Sequence, residues 1–481
     1  MLMLPAEERR SLWRRLIEAI EAYVEGVGSA PVVPRLDPQE IRGLLARFDF
    51  GEPVPPAEAL DFAVDGLWHH QVHTPHPRYF GLFNPAPATM GIAADALVAA
   101  FNPQLAAWSH SPLAAEVEQH LVRAFAGRFG YERHRAEGTF TSGGAEANHT
   151  ALLAALLRAF PEVGRRGLLA LRSQPVLYVS SEAHHSFLKA ARLSGLGTEA
   201  VREIAVDADL RMQPDELRSA IERDRHEGRS PFLVVATAGT TAAGSVDPLP
   251  EIADLADEER LWLHVDAAWG GAAALVPELQ SVVAGIERAA SITFDAHKWL
   301  SVPMGAGLFL TRHAGVLERT FRVATGYMPR EGSDLGIADP YAHSIQWSRR
   351  FIGLKLFLAL AVAGWRGYEE AIRHQTAMGD LLRERLQVAS WEPVNRTPLP
   401  VVCFLDATRR DGGSGSYLDA VAGDVVASGA AWLSTVRLGE ARPALRACIT
   451  NVGTGPADLD ALVAALQGAR ERLGRGGAPR A

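Results

Sequence analysis

Four short apolar runs, each followed directly by polar residues, limit most strongly how this chain can fold. They cover residues 176–179, 232–236, 261–265 and 292–294, and helical stretches separate them. Continuous apolar runs between amphipathic helices are typical of parallel strands that are buried on both faces. We therefore predict an α/β fold with a mostly parallel central sheet.

The residues that follow these runs carry reactive groups. His184 comes after the first run, Thr241 after the second, Asp266 directly after the third and Lys298 after the fourth. Ligands of open parallel sheets bind outside the carboxyl ends of the strands. The sequence therefore predicts that these four side chains meet at one edge of the sheet.

A segment of small residues, Thr-Ser-Gly-Gly-Ala-Glu-Ala-Asn at 141–148, precedes a leucine-rich helical run. Small residues at the start of a helix let backbone amides and the helix dipole approach a phosphate closely. The same pattern can be a plain helix cap. The Gly-x-Gly-x-x-Gly order of dinucleotide sites is absent, so a dinucleotide is the weaker interpretation.

Lys298 is one of only three lysines in 481 residues, the others being Lys189 and Lys355. A cofactor that needs an amine nucleophile therefore has few candidates to bind. A lysine directly after a buried strand is costly unless it is exposed, paired or functional. With Asp266 and a phosphate-binding helix start, Lys298 fits pyridoxal phosphate (PLP), whose aldehyde forms a Schiff base with lysine and whose ring nitrogen pairs with a carboxylate. We interpret Lys189 and Lys355 as solvated or snorkelling residues on helices.

In order and spacing, these segments resemble the group II PLP-dependent decarboxylases, which include the aromatic-amino-acid, histidine and glutamate decarboxylases. The resemblance runs from residue 76 to about 368. The segments that carry it are 141–148, 183–184, 239–241, 247–248, 264–268 and 297–299. It implies the fold type I of PLP-dependent transferases, decarboxylation of an L-amino acid to an amine and carbon dioxide, and a homodimer with active sites at the interface.

The resemblance also implies roles for single residues around the cofactor ring. Lys298 would form the Schiff base, and Asp266 would bind the ring nitrogen. His184 and Ala268 would lie on opposite faces of the ring, with Thr241 near its substituents.

Other implied roles concern the phosphate and a supporting ion pair. Three residues would bind the phosphate: Gly144, Ala145 and His297. Some family members have asparagine where this chain has Asp295, and an anionic side chain there would repel a phosphate unless it is protonated or turned away. Asp247 and Arg350 are expected to form an ion pair.

The long connection 321–334 is rich in glycine and polar residues, and we interpret it as a lid that excludes water. Tyr327 resembles the family position whose tyrosine returns a proton to the substrate's Cα, typically across the dimer interface. The alternative is a tyrosine that only anchors the loop by packing.

The substrate is expected to contact the stretches 76–85 and 101–112, partly from the neighbouring subunit. The candidate residues are Phe83, Asn84, Gln104 and Trp108. The aromatic residues favour an aromatic or bulky side chain, although Asn84 and Gln104 leave a smaller or polar one possible. An aldehyde-forming decarboxylase, an aminotransferase and a non-catalytic PLP-binding homologue are the alternative functions.

We predict three parts along the chain: an N-terminal helical arm at 1–75, a large PLP-binding domain at 76–360 and a small α+β domain at 361–481.

Composition and charge limit the partners and the location of the protein. The net charge of -8 argues against nucleic acid as a partner. Two distant cysteines give no support for a disulfide framework or a metal site. With no apparent signal or membrane segment, a cytoplasmic protein is expected.

Overall fold

A computed structural model of the chain describes residues 2–323, 337, 339–439 and 441–474. Within these residues, the large domain contains a seven-stranded sheet of order β1-β7-β6-β5-β4-β2-β3, in which β7 is antiparallel to both neighbours and the other pairs are parallel. This confirms the predicted α/β fold with a mostly parallel sheet. The strands are β1 Glu137–Thr141, β2 Pro175–Ser180, β3 Val201–Ile204, β4 Ser230–Thr237, β5 Trp262–Asp266, β6 Ser291–Asp295 and β7 Gly307–Thr311.

Helices cover both faces of this sheet because its strands present apolar side chains alternately to each side. Val176 and Tyr178 of β2 belong to one hydrophobic core, and Leu177 and Val179 belong to the other. The helices of the large domain are α4 Thr89–Phe101, α5 Pro112–Arg128, α6 Gly144–Ala159, α7 Val163–Arg166, α8 Ser186–Leu193, α9 Pro214–His226, α10 Leu249–Glu259 and α11 Val316–Phe321. Helices α6, α8 and α11 pack on one face, and α5, α9 and α10 pack on the other.

The C-terminal region forms a separate antiparallel sheet of order β10-β11-β9-β8. Its elements are α12 Gly353–Val388, β8 Trp391–Pro393, β9 Val401–Asp406, α13 Gly415–Ala427, β10 Ser434–Leu438, β11 Arg442–Cys448 and α14 Pro456–Gly474. Helix α12 is kinked at Gly364, whose φ of 63° breaks the helical backbone. The predicted domain boundary at 361 falls inside α12, close to this kink.

The N-terminal arm consists of α1 Ala6–Gly26, α2 Pro38–Leu45 and α3 Pro56–His69. No described residue of α1 is buried, and its apolar side chains Trp13, Ile17 and Val24 are exposed. Its contact with α3 includes the Tyr23 and Trp68 rings, which meet edge to face at 5.1 Å. In the described part of the chain, no helix is long and apolar enough to cross a membrane.

The segment before α4 joins the two sheets and leads toward the site. The amide of Phe80 donates to the carbonyl of Trp432 at 2.8 Å, and the amide of Cys448 donates to the carbonyl of Phe80 at 2.9 Å. A Cβ on Gly81 would lie 2.3 Å from the Trp432 ring, so the chain passes there only as glycine. This crossing places Phe83 between the C-terminal domain and the edge of the large sheet.

Candidate active site

The carboxyl ends of β5 and β6 bring most of the predicted residues to one edge of the sheet. Asp266 ends β5, Asp295 ends the neighbouring strand β6, and Lys298 follows three residues later. Gly144 begins α6 at the same place, since a Cβ on it would lie 2.8 Å from Asp295 Oδ2 and 3.3 Å from Ala268 Cβ. The chain therefore folds its candidate lysine, carboxylates and helix start into one site.

Asp266 is buried and has a hydrogen-bond donor on each carboxylate oxygen. Asn148 Nδ2 donates to Oδ2 at 2.7 Å, and the backbone amide of Ala268 donates to Oδ1 at 3.1 Å. Hydrogen bonds donated to both oxygens fix the orientation of the carboxylate. The carboxylate is thus held ready as an acceptor for a cationic N–H group.

Lys298 lies at the mouth of the site and pairs with Asp295. Its Nζ is 3.1 Å from Asp295 Oδ2, and its side chain is 24% exposed whereas that of Asp295 is 2% exposed. Asp295 Oδ1 has no hydrogen-bond partner among the described residues. The lysine is therefore accessible and positioned by a buried carboxylate that is itself only partly satisfied.

The start of α6 offers a place for a phosphate. Gly144 and Ala145 are in the first turn, where backbone amides have no intrahelical acceptor. His297 is buried beside them and its Nδ1 accepts from the amide of Ala306 at 3.2 Å. Burial lowers the pKa of His297, so its ring is neutral at pH 7. The nearby Asp295 carboxylate opposes an anion at this point.

His184 and Thr241 line the same edge from β2 and β4. The ring of His184 is exposed, and its Nδ1 accepts from the amide of Ser186 at 3.2 Å. Desolvation by the surrounding protein lowers the pKa of His184, and the charge of Lys298 lowers it further, while Asp266 opposes both effects. Thr241 is exposed just beyond β4.

Three aromatic rings form a stack beside Lys298. Phe83 stacks on Trp269 with ring centroids 4.5 Å apart, and Trp269 stacks on Trp299 at 5.2 Å. Lys298 Nζ is 5.9 Å from the centre of the Phe83 ring. Phe83 is therefore a rigid aromatic wall of the site.

The other candidate substrate residues differ in their surroundings. Asn84 Nδ2 lies 3.0 Å from the sulfur of Met304, in the loop that follows Lys298. Gln104 is exposed. Trp108 donates from its backbone amide to Asp339 and from its indole to Glu116, both at 2.9 Å. Phe83 and Asn84 are thus linked to the lysine segment, whereas Trp108 is fixed by two carboxylates.

Arg446 in β11 is a residue that the sequence reasoning missed. Its guanidinium carbon is 5.1 Å from the centre of the Phe83 ring, and its side chain is almost fully buried. Nη1 donates to the carbonyl of Gly81 at 3.0 Å, but Nε and Nη2 have no partner among the described residues. The available signal was an arginine inside the apolar strand Ala444-Leu445-Arg446-Ala447-Cys448.

Lys355 was expected to be a solvated residue, and that interpretation is wrong. Its Nζ is buried, pairs with Asp95 Oδ2 at 3.1 Å and donates to the carbonyl of Met304 at 3.0 Å. The side chain reaches inward from α12 because a carboxylate and backbone carbonyls satisfy the ammonium group there. Lys355 therefore anchors the loop that follows Lys298.

The expected Asp247–Arg350 ion pair is also wrong. Arg350 pairs with Asp95 at 3.2 Å. The oxygens of Asp247 accept from the amides of Met212 and Thr237, each at 2.7 Å, and burial raises its pKa to about 6. Backbone amides, and not an arginine, thus satisfy the Asp247 carboxylate.

The donor set of the site fits PLP. An accessible lysine amine, a buried acceptor carboxylate and the amides of a helix start lie at one sheet edge, as the cofactor requires. The described residues contain no group of three histidine, cysteine or acidic side chains that could hold a metal ion. Tyr327 lies outside the described residues.

Several known proteins similar to this chain are named as amino-acid decarboxylases. The family model "Pyridoxal-dependent decarboxylase conserved domain" matches residues 56–406. An aromatic-L-amino-acid decarboxylase from Bacillus atrophaeus is 32% identical over 407 residues, which cover 84% of this chain and 82% of that protein. An L-2,4-diaminobutyrate decarboxylase from Rhizobium meliloti (strain 1021) is 33% identical over 396 residues, or 80% and 77% of the two chains. The crystal structure of Oryza sativa TDC with PLP and tryptamine superposes with a TM-score of 0.91 at 25% identity, covering 98% of this chain and 99% of that one.

Proposed function

Because the chain belongs to the family of pyridoxal-dependent decarboxylases and is a PLP-dependent carboxy-lyase, we propose that Lys298 binds the cofactor and that an aromatic or bulky L-amino acid is the substrate. The observation that carries this proposal is the position of the Lys298 amine, 3.1 Å from Asp295 and 5.9 Å from the Phe83 ring. When bound, PLP withdraws electrons from the substrate's Cα through its protonated pyridine ring.

The residues at the sheet edge divide the binding of the cofactor between them. Asp266 would accept a hydrogen bond from the ring nitrogen, and the amides of Gly144 and Ala145 would bind the phosphate. The buried His297 would donate to the phosphate from its Nε2. His184 and Ala268 would pack on the two faces of the ring, and Thr241 would contact its substituents.

The walls of the site bind the substrate. Phe83 is held by Trp269 and contacts the substrate side chain, which favours an aromatic or bulky group. Arg446 lies on the same Phe83 ring, and its nitrogens Nε and Nη2 have no partner among the described residues. A carboxylate of the substrate would accept hydrogen bonds from them. Asn84, Gln104 and Trp108 complete the pocket, partly from the neighbouring subunit.

We further propose a cytoplasmic homodimer with active sites at its interface. Helix α1 supports this assembly because its apolar side chains Trp13, Ile17 and Val24 are exposed in the single chain. A second copy packed on α1 would bury them.

The substrate is tested by incubating the holoenzyme with the standard amino acids and with L-2,4-diaminobutyrate, and by measuring carbon dioxide and amine. We expect the highest kcat/KM for aromatic or bulky side chains. A tenfold or greater preference for diaminobutyrate or for an acidic amino acid would contradict the proposal about the side chain. Aldehyde and ammonia, or a keto acid, would instead indicate the aldehyde-forming or aminotransferase alternatives, and bound cofactor without turnover would indicate a non-catalytic homologue.

Tyr327 is our proposed donor of the proton to the substrate's Cα. A phenol is neutral at pH 7 and can deliver a proton when solvent is excluded. We predict that Tyr327→Phe still releases carbon dioxide but forms less amine and, with oxygen, more aldehyde and ammonia. The matched control is Tyr341→Phe, which removes a buried phenol further along the chain and should keep the wild-type product ratio. Equal amine yield and rate in Tyr327→Phe and wild type would leave Tyr327 as a packing residue.

A further inference from the structure

Behind Asp266, a buried chain of hydrogen bonds connects three neighbouring elements. Trp262 Nε1 donates to Ser291 Oγ at 2.8 Å, and Ser291 Oγ is 2.8 Å from His264 Nδ1. His264 Nε2 is 3.2 Å from Asn148 Oδ1, and Asn148 Nδ2 is 2.7 Å from Asp266 Oδ2. All five side chains are buried. The chain thus runs from the interior of the sheet to the carboxylate at its edge.

The Asp266 end of the chain permits only one direction of donation. An ionised carboxylate can only accept, so Asn148 must present its NH2 group to Asp266 and its carbonyl oxygen to His264. His264 must then donate from Nε2, which leaves Nδ1 as an acceptor in the neutral ring. Asn148 Nδ2 also donates its second hydrogen to Ser186 Oγ, with 2.9 Å between nitrogen and oxygen, and this agrees with the orientation.

The Trp262 end is compatible with the same direction. An indole N–H can only donate, so Ser291 accepts from Trp262 and its own hydroxyl hydrogen is free to donate to His264 Nδ1. With the His264 proton on Nε2, as the Asp266 end requires, Asn148 Oδ1 and Thr293 Oγ1, each 3.2 Å away, accept it. Every bond in the hydrogen-bond chain is then donated toward Asp266.

His264 remains neutral in this environment, as the hydrogen-bond chain requires. Burial lowers its pKa to about 4, although the charge of Asp266 and a hydrogen bond with the Ser291 backbone oppose the effect. A protonated ring would have no acceptor at Nδ1 for the Ser291 hydroxyl. The neutral Nε2–H tautomer is thus the form that completes the chain.

We propose that Asn148 and His264 are positioning residues that hold Asp266 as a charged acceptor for the ring nitrogen of PLP. Donated hydrogen bonds stabilise a carboxylate in its charged form and so favour the ion pair with a protonated ring over the neutral pair. Asn148 makes the direct contact, and His264 acts by fixing which end of the Asn148 amide faces Asp266.

This inference rests on the proposed role of Asp266, and the experiment separates the two. Variants Asn148→Leu and His264→Phe remove the donors but keep much of the side-chain volume, and His264→Gln retains an N–H donor toward Asn148. Each is reconstituted with ¹⁵N-labelled PLP. The ¹⁵N signal of the ring nitrogen then reports its protonation, and kcat and KM are measured on the same samples.

We expect Asn148→Leu and His264→Phe to shift the ring nitrogen toward its unprotonated signal and to lower kcat about ten- to hundredfold with KM nearly unchanged. His264→Gln should recover most of both properties. Ser291→Ala, a milder change suited to the case in which the larger substitutions do not fold, should produce a smaller shift in the same direction. Thr311→Val is the matched control, because Thr311 pairs with Ser291 across β6 and β7 and its buried hydroxyl donates to the carbonyl of Ala290.

The control should lose stability without changing the ¹⁵N signal or kcat. One outcome would overturn the inference but not the proposed role of Asp266. In it, Asp266→Asn is impaired, but the ¹⁵N signal stays wild-type in Asn148→Leu, His264→Phe and Ser291→Ala. An equal shift in Thr311→Val would overturn it as well, because the effect would then be general loosening of the sheet. A wild-type Asp266→Asn would overturn the proposed role of Asp266 and the inference with it.

Discussion

Two aspartates end neighbouring strands of the site, and their surroundings differ. Asp266 on β5 has donors from Asn148 and Ala268 on its two oxygens. Asp295 on β6 pairs with Lys298 through one oxygen, and the other has no partner among the described residues. Both oxygens of Asp266 thus have a hydrogen-bond donor without any ligand, whereas one oxygen of Asp295 has none among the described residues. We call these the complete side and the incomplete side of the site. The first side is suited to a fixed group, and the second would have to rearrange if a phosphate and a covalent bond to the lysine form there as proposed.

The Asp295 side also carries an electrostatic conflict. Its carboxylate lies next to Gly144 at the start of α6, where the helix dipole attracts anions. A phosphate bound there gains from the helix and loses from the carboxylate. Lys298 offsets the negative charge only while its ammonium group remains paired with Asp295.

The largest effect should come from changing the complete side. Asp266→Asn keeps the size of the side chain but cannot stabilise a protonated ring nitrogen. We expect PLP still to bind, with the rate of decarboxylation lowered by at least about a hundredfold. Absorbance of the bound cofactor and kcat measured on the same preparation check both parts, and turnover at the wild-type rate would remove the role assigned to Asp266.

A smaller effect of opposite sign should follow from changing the incomplete side. Asp295→Asn removes the anionic charge near the phosphate, so the Kd for PLP should fall about three- to tenfold. The matched control is Asp257→Asn, which removes one equal charge from the surface ion pair with Arg288. Titration of both apo proteins with PLP measures the difference. Weaker binding in Asp295→Asn would show that the carboxylate supports the cofactor instead of opposing it.

A different kind of effect, on the free energy of unfolding, concerns the hydrogen-bond chain behind Asp266. The folded-state pKa of His264 is about 4, below its ordinary value of 6.5, so the unfolded protein binds a proton that the folded protein does not. The contribution of His264 is fully present above pH 6.5 and is lost as the pH falls toward 4, by up to roughly 3 kcal/mol. His76 and His313 titrate in the same direction, and Asp247, whose pKa is raised, opposes them.

We therefore expect the unfolding free energy of His264→Gln to decline less between pH 6.5 and 4 than that of the wild type. Denaturant unfolding at several pH values measures this difference. Parallel pH curves for the two proteins would mean that His264 is not held neutral in the folded state.

The sequence alone predicted which residues meet at the site, but it did not predict the hydrogen-bond partners of those residues. The strand periodicity and the polar residues after each strand predicted the edge that carries Asp266 and Lys298. The partners of these residues could not be read in the same way, since Asn148 is 118 residues from Asp266 and 116 from His264. Such contacts depend on how the elements stack in three dimensions.

The errors have the same physical origin. Lys355 has a helical pattern that suits a solvent-exposed side chain, but α12 turns it toward Asp95 and the carbonyls after Lys298. Arg446 lies in an apolar strand of the second sheet, and only the folded chain shows that this strand reaches Phe83. Burial of a charged residue is decided by distant partners, which local sequence patterns do not specify.

The central claim is that PLP binds covalently to Lys298, and it can be tested by fixing the cofactor to its lysine. Borohydride reduction of the holoenzyme, followed by proteolysis and mass spectrometry, distinguishes Lys298 from Lys189 and Lys355, the only other lysines. We predict that the label is found on Lys298, that Lys298→Ala has neither label nor turnover, and that Lys189→Ala keeps both. A reduced cofactor adduct on Lys189 or Lys355 in the active wild-type enzyme would contradict the account.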